Sequence, residues 1–147
     1  DGPPHVPERL RRHVRMAQEK IETDSMVECI STLPTQSKAV LYAMLILERM
    51  GKRIFTSGEV TVVYREIARI IDLEVLTHRR ITDLISELNM LGVINTRVVS
   101  RGRYGRTKEM WFDATTSKIE EVVTRDPRLD DQRLRDIDIN RLRAMFR

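Results

Sequence analysis

The hydrophobic period of this 147-residue chain changes at Gly92. Upstream, apolar residues recur three and four apart; downstream they alternate, so helices come first and a small sheet follows. The first helix of the central region is expected from about Ser37 to Met50, with Val40, Ala43, Met44 and Leu47 on one face and Gly51 as its left-handed terminator. Ser57 and Gly58 open a second, in which Val60, Val63, Tyr64, Ile67 and Ile71 keep helical spacing until Asp72-Leu73-Glu74 ends it; Ile54 to Thr56, just before, reads as a minor strand. Thr77 is a good N-cap for a third, running to about Leu91 with Ile81, Leu84, Ile85 and Leu88 as its buried stripe and Gly92 at its end.

Val93 to Val99 and Thr107 to Phe112 then read as two strands, and the seven residues between them, Ser100 to Arg106, include two glycines and a serine, the composition of a hairpin tip. Three helices followed by a two-stranded hairpin is the order of a winged helix, a helix-turn-helix variant whose third helix enters the major groove while the hairpin flanks it. The expected fold is mostly α with a small β-hairpin and flanking N- and C-terminal helices.

On the N-terminal side, Leu10, Val14, Ala17 and Ile21 give Glu8 to Ile21 a narrow apolar stripe, the pattern of a linker or docking helix. Asp24 or Ser25 is placed to cap a second short helix carrying Met26, Val27 and Ile30, and Leu33-Pro34 breaks the chain. On the other side, Thr116 to Thr124 suggests a helix through Ile119, Val122 and Val123, ended by Asp126-Pro127. Leu134, Ile137, Leu142, Met145 and Phe146 then stand among alternating charges, compatible either with a docked amphipathic helix or with a segment ordered by a partner. The divisions are therefore 1–32, linker; 33–113, winged helix; 114–147, C-terminal helix and charged tail.

At 41% apolar and 33% charged residues, the chain can bury one core and excludes collagen-like, mucin-like and wholly disordered readings. The single cysteine, Cys29, rules out an internal disulfide and reads as a buried filler; His5, His13 and His78 have no zinc spacing with it, so no metal ligand is expected. The longest apolar run, Ala39 to Leu47, is half of the roughly 18 residues a membrane span needs. A cytoplasmic, nucleoid-associated setting is the expectation. The start, Asp1-Gly2-Pro3-Pro4, resembles no targeting segment and reads as an excised piece of a larger protein.

The formal charge of +4 permits a nucleic-acid partner, and its location is more informative than its size. Arg97, Arg101, Arg103, Arg106 and Lys108 lie in a stretch without an acid; setting these five aside leaves 21 basic against 22 acidic residues. The whole positive excess is in the hairpin. Closely spaced arginines on a glycine-bearing tip suit a narrow, electronegative minor groove, and Gly102 lets backbone amides approach phosphates. In the third helix, the apolar stripe turns Arg79, Thr82, Asp83 and Ser86 to the opposite side, with His78 beside them. Arg79 or Arg80 is suited to a bidentate contact with guanine, Thr82 and Ser86 to a thymine methyl or a phosphate, and the free amides after Thr77 to a phosphate. A competing reading is an ordinary exposed face with Arg79 paired to Asp83.

Other apparent motifs fail. Asp136-Ile137-Asp138-Ile139-Asn140 begins like a calcium loop but has Arg141 where glycine is needed and Arg147 where a bidentate Glu is needed. No G-x-x-x-x-G-K-[ST], G-x-G-x-x-G or H-E-x-x-H is present, so no enzyme site and no cofactor is expected in this chain. Trp111 reads as a packing anchor of the second strand.

The run Leu73 to Gly92, and above all Val98-Val99-Ser100-Arg101-Gly102-Arg103-Tyr104-Gly105-Arg106-Thr107-Lys108-Glu109, closely resembles the C-terminal domain of archaeal DNA replication initiators, relatives of the eukaryotic origin recognition complex and its helicase-loading partner. Leu33 to Leu47, Gly58-Glu59-Val60 and Tyr64-Arg65-Glu66 also look like that family, which extends the resemblance over roughly Leu33 to Phe112. The resemblance implies origin binding by the winged helix, recruitment of the replicative helicase and contacts with other initiator subunits. It also implies a parent protein with an AAA+ ATPase module, to which ATP and magnesium would belong; the helix from Glu8 to Ile21 resembles the last helix of that module's lid. By the same resemblance, Thr77 to Ser86 (Thr77, His78, Arg79, Arg80, Thr82, Ser86) contact the major groove. Arg101, Gly102, Arg103, Tyr104 and Arg106 contact the minor groove, flanked by Arg97 and Lys108. A protein-interaction winged helix contacting helicase or a partner initiator, and a transcription regulator, are the alternatives.

Overall fold

A computed structural model of the chain describes residues 6–113 and 116–146. The element order is α1 (Glu8–Ser31), α2 (Thr35–Arg49), β1 (Phe55–Thr56), α3 (Ser57–Ile70), α4 (His78–Met90), β2 (Ile94–Ser100), β3 (Arg106–Phe112), α5 (Thr116–Val123), α6 (Gln132–Arg135) and α7 (Ile139–Ala144). Helices dominate. The three strands form one antiparallel sheet in the order β1-β3-β2.

α2 is the centre of the molecule. Its alanines, leucines and methionine favour helix, and every residue from Ser37 to Leu47 is buried, not only the one face its spacing suggested. The reason is that α3, α4 and α5 all pack against it. α3 begins with a capping box: the Thr56 hydroxyl accepts from the Glu59 amide at 3.2 Å while the Glu59 carboxylate accepts from the Thr56 amide at 2.9 Å. α4 buries Ile81, Ile85 and Leu88; Leu84, expected in the same stripe, is only partly covered. Gly51 and Gly92 close α2 and α4 with positive φ, as expected.

The N-terminal region departs from the expectation of two helices. α1 is a single helix of 24 residues passing straight through Asp24 and Ser25. With neither Gly nor Pro in the segment, their weak capping preference does not interrupt the hydrogen-bond ladder. Its C-terminal part buries Ile30, with Met26 and Val27 against the core, and α1 packs on α5. Leu10, Val14 and Ile21 remain exposed. Cys29 is half-buried rather than enclosed.

The tail folds back onto the body. Leu129, Leu134 and Leu142 are buried in the common core, and α6 lies against α3. Polar contacts hold it along its length: Asp126 accepts from the Thr35 hydroxyl at 2.8 Å and pairs with the nearly buried Lys38 at 3.7 Å, Arg128 donates to the Asp72 carbonyl, Arg141 pairs with Glu66, and Arg143 donates to the Met50 carbonyl. Among the described residues no helix is long and apolar enough to cross a membrane, and no group of three or more potential metal ligands stands together.

Candidate nucleic-acid interface

The turn between α3 and α4 fixes how α4 is presented. Asp72 takes a left-handed φ of 55°, and the turn then folds over the hydroxyl of Tyr64. That hydroxyl donates to Gln36 Oε1 at 2.5 Å, lies 3.1 Å from the Glu74 carbonyl oxygen and accepts from the Leu76 amide at 3.2 Å. Gln36 in turn donates to the same Glu74 carbonyl at 2.8 Å. Burial pushes the Tyr64 hydroxyl above its ordinary pKa. One phenol therefore ties the start of α2 to the turn that launches α4.

α4 starts at its Thr77 cap, whose side chain accepts from the Arg80 amide at 3.2 Å. His78, Arg79, Arg80 and Asp83 are exposed in the first two turns. His78 is anchored, its Nδ1 2.8 Å from the Thr61 hydroxyl on α3. Arg79 and Arg80 make no hydrogen bond or ion pair among the described residues, and the competing Arg79–Asp83 pair is not formed. Thr82 turns its hydroxyl proton back to the His78 carbonyl at 3.0 Å, and Ser86 does the same to Thr82 at 3.2 Å, so both hydroxyls are left as acceptors only.

In the hairpin, β2 and β3 pair from Ile94 with Phe112 to Ser100 with Arg106. The tip is one 3-10 turn, Gly102 to Tyr104, closed by Arg101 N–H to the Gly105 carbonyl at 2.7 Å. Gly105 sits at φ 84°, ψ −158°, a region essentially reserved for glycine, and Gly102 is left-handed at φ 63°. The side chain of Tyr104 lies outside the described part of the structure.

Opposed residues of an antiparallel pair share a face, which divides the hairpin cations. Thr96, Val98 and Ser100 share one face with Arg106, Lys108 and the buried Met110; Arg97, Val99 and Arg101 share the other with Thr107, Glu109 and Trp111. On the first face, Lys108 Nζ donates to Ser86 Oγ of α4 at 2.9 Å. On the second, Glu109 accepts from Arg97 at 2.8 Å and from Arg101 at 3.2 Å, and Arg97 stacks over Trp111 with its guanidinium carbon 5.4 Å from the ring centroid. The single pool of five cations expected from sequence is thus corrected: one carboxylate just past the counted stretch engages two of them. Arg103 and Arg106 are exposed and have no partner among the described residues. Trp111 also lines an open depression of about 760 Å³ with Lys52, Arg53, Ile54, Arg97 and Phe112.

Thr77, His78, Arg79, Arg80 and Thr82 are thus brought together at one end of α4; Ser86 and Lys108 join helix to wing; Arg103 and Arg106 extend from it; Arg97 and Arg101 point to the opposite face. The sequence assigns no site role to Glu109, Tyr64 or Thr61. Glu109 was legible from strand period alone, since it falls opposite Arg97; the other two depend on tertiary contacts.

Residues 28–122 match the family model described as the CDC6 C-terminal winged helix domain. The chain belongs to this family. It is 93% identical over 136 residues to an ORC1-type DNA replication protein of Methanoculleus marisnigri, covering 92% of this chain and 32% of that protein. It is 56% identical over 115 residues to an ORC1-type DNA replication protein of Pyrococcus furiosus, covering 78% of this chain and 27% of that one. Among solved structures it is similar to the Aeropyrum pernix ORC1 protein in complex with DNA, with a TM-score of 0.75 and 41% identity over 81% of this chain and 31% of the other. The chain spans about a third of the length of the curated relatives it matches. It is a winged-helix domain of ORC1/Cdc6-type replication initiators.

Proposed function

We propose that this chain binds double-stranded DNA at replication origins as the DNA-binding domain of an archaeal initiator, with α4 in the major groove and the wing, residues 97–108, in the minor groove. The observation that carries the reading is the pair of cation sets on one connected surface: Arg79 and Arg80 at the start of α4, and Arg103 and Arg106 on the wing, with Lys108–Ser86 tying the two elements. A relative of this fold was solved in complex with DNA, which supports the same ligand here. Fluorescence anisotropy with an origin repeat and a scrambled duplex across a salt series tests it. Tighter binding to the repeat is expected, together with a log-log salt slope of several units, since each neutralised phosphate adds about −0.9. Equal binding to both duplexes at every salt overturns the origin preference, and no duplex binding at low salt overturns the reading entirely.

The wing face that carries Arg97, Glu109 and Trp111 is turned away from the Lys108–Ser86 contact, which leaves it for a second reading, contact with helicase or a partner initiator subunit. Retained capture of such a partner by a variant that no longer binds DNA is the corresponding test. No catalytic step is assigned to the described residues, and the setting consistent with origin binding is the nucleoid.

A further inference from the structure

His78 is held by α3 in one tautomer, and the tautomer decides what its other nitrogen can recognise. Thr61 is buried, and its hydroxyl oxygen lies 2.8 Å from the Ser57 carbonyl oxygen and 2.8 Å from His78 Nδ1. A threonine hydroxyl has one proton. Given to Nδ1, it leaves two oxygens facing each other at 2.8 Å with no hydrogen between them. Given to the carbonyl, it satisfies both contacts, provided that Nδ1 carries a hydrogen and donates it to Thr61. The second arrangement is the one without a repulsive contact, and in a neutral imidazole it makes Nε2 a bare acceptor.

His78 is exposed at the first position of α4, and Nε2 has no partner among the described residues. A bare acceptor has nothing to offer a phosphate oxygen. In the major groove, the groups that offer a hydrogen are the exocyclic amines, adenine N6 and cytosine N4. The two residues that follow, Arg79 and Arg80, are donors only and suit guanine or phosphate instead.

We propose that His78 is a specificity-determining residue, reading a base-edge amino group through Nε2, and that Thr61 is the positioning residue that fixes its tautomer. This rests on the duplex-binding reading above. It assigns complementary tasks to adjacent side chains of one helix end: an acceptor at His78, donors at Arg79 and Arg80.

Two measurements test it. Ring nitrogen correlations of ¹⁵N-labelled chain without DNA are expected to show His78 with a protonated Nδ1 and an unprotonated Nε2; in Thr61→Val, which removes the hydroxyl at nearly constant volume, the ring reverts to a mixture dominated by the other form. Selection from a randomised duplex library is expected to show one position restricted to adenine or cytosine. Thr61→Val and His78→Ala lose that restriction, by about five- to tenfold in discrimination for one base contact, while Thr61→Ser retains it. A protonated Nε2 in the free chain overturns the assignment, as does a base profile unchanged in Thr61→Val and His78→Ala. Uniform weakening on all sequences places His78 on the backbone and also overturns it. If the wild-type chain selects no duplex, the failure lies in the duplex-binding reading, and this assignment falls with it.

Discussion

Lys108 on β3 donates to Ser86 on α4 across 2.9 Å, joining the wing to the exposed side of the third helix of the motif. It spans 22 positions of sequence and, beside the packing of α4 on β2, links the two elements proposed to enter neighbouring grooves. Ser86→Ala removes the acceptor and leaves the lysine in water. The expected result is a stability change within about 1 kcal/mol, the scale of one partly exposed hydrogen bond, and a several-fold loss of duplex affinity, seen by thermal melting and anisotropy on the same sample.

Glu109 engages two arginines and is itself only 13% exposed. Glu109→Gln frees Arg97 and Arg101, so affinity for scrambled duplex rises several-fold and the salt slope steepens by about 0.9 for each arginine that then meets a phosphate. Arg97→Ala, by contrast, leaves duplex affinity close to wild type because Arg97 is spent on Glu109 and Trp111. Alanine at Arg101, Arg103 and Arg106 together abolishes most binding. A salt titration of the four proteins separates these outcomes.

Tyr64→Phe leaves Gln36 and the Leu76 amide without the hydroxyl that joins them. A loss of about 1–3 kcal/mol is expected from partly buried groups left unpaired, measured by urea unfolding, together with weaker duplex binding as the start of α4 loosens. The same phenol gives a pH signature. Its folded-state pKa lies above the ordinary value near 10, so its contribution is complete below that value and is lost as pH rises through the raised one. Wild type therefore loses more stability above pH 10 than Tyr64→Phe does.

Asp126→Ala strands Lys38, which is nearly buried inside α2, and removes the acceptor of Thr35. Breaking a buried pair from one side costs about 3 kcal/mol or more, read by urea unfolding. Glu66 supplies the acid-side counterpart. Its hydrogen bonds from Arg69, and the nearby charge of Arg141, hold its carboxyl below the ordinary value, so its contribution is present above about pH 4.5 and lost as pH falls through the lowered one. Arg141→Met is expected to flatten part of that acid dependence.

The parts legible in sequence were those written in local chemistry. Thr77 before a stripe of Ile81, Ile85 and Leu88, with Gly92 after it, specifies a helix and both its ends within sixteen positions. The wing was legible because period-2 spacing and glycine at φ > 0 have few other meanings. What failed did so where tertiary packing outranked local preference. Asp24 and Ser25 look like caps but sit inside α1, and α2 is buried on every side by three helices the sequence could not orient around it. The tail gave too little periodicity because α6 and α7 have only four and six residues; it is ordered by what Leu134, Leu142, Asp126 and Arg143 touch. The wing cations were counted along the chain, whereas a strand sorts them by face.

The continuity of α1 has a mechanical meaning. Twenty-four residues without a break make a rod of about 36 Å, seated at one end on α5 and free of a joint at Asp24–Ser25. A polypeptide fused to its far end would be joined to the winged helix through unbroken helix rather than through a loop. A Gly-Gly pair at 24 and 25 would act as a clutch, loosening that connection while leaving the side chains of α4 and the wing untouched.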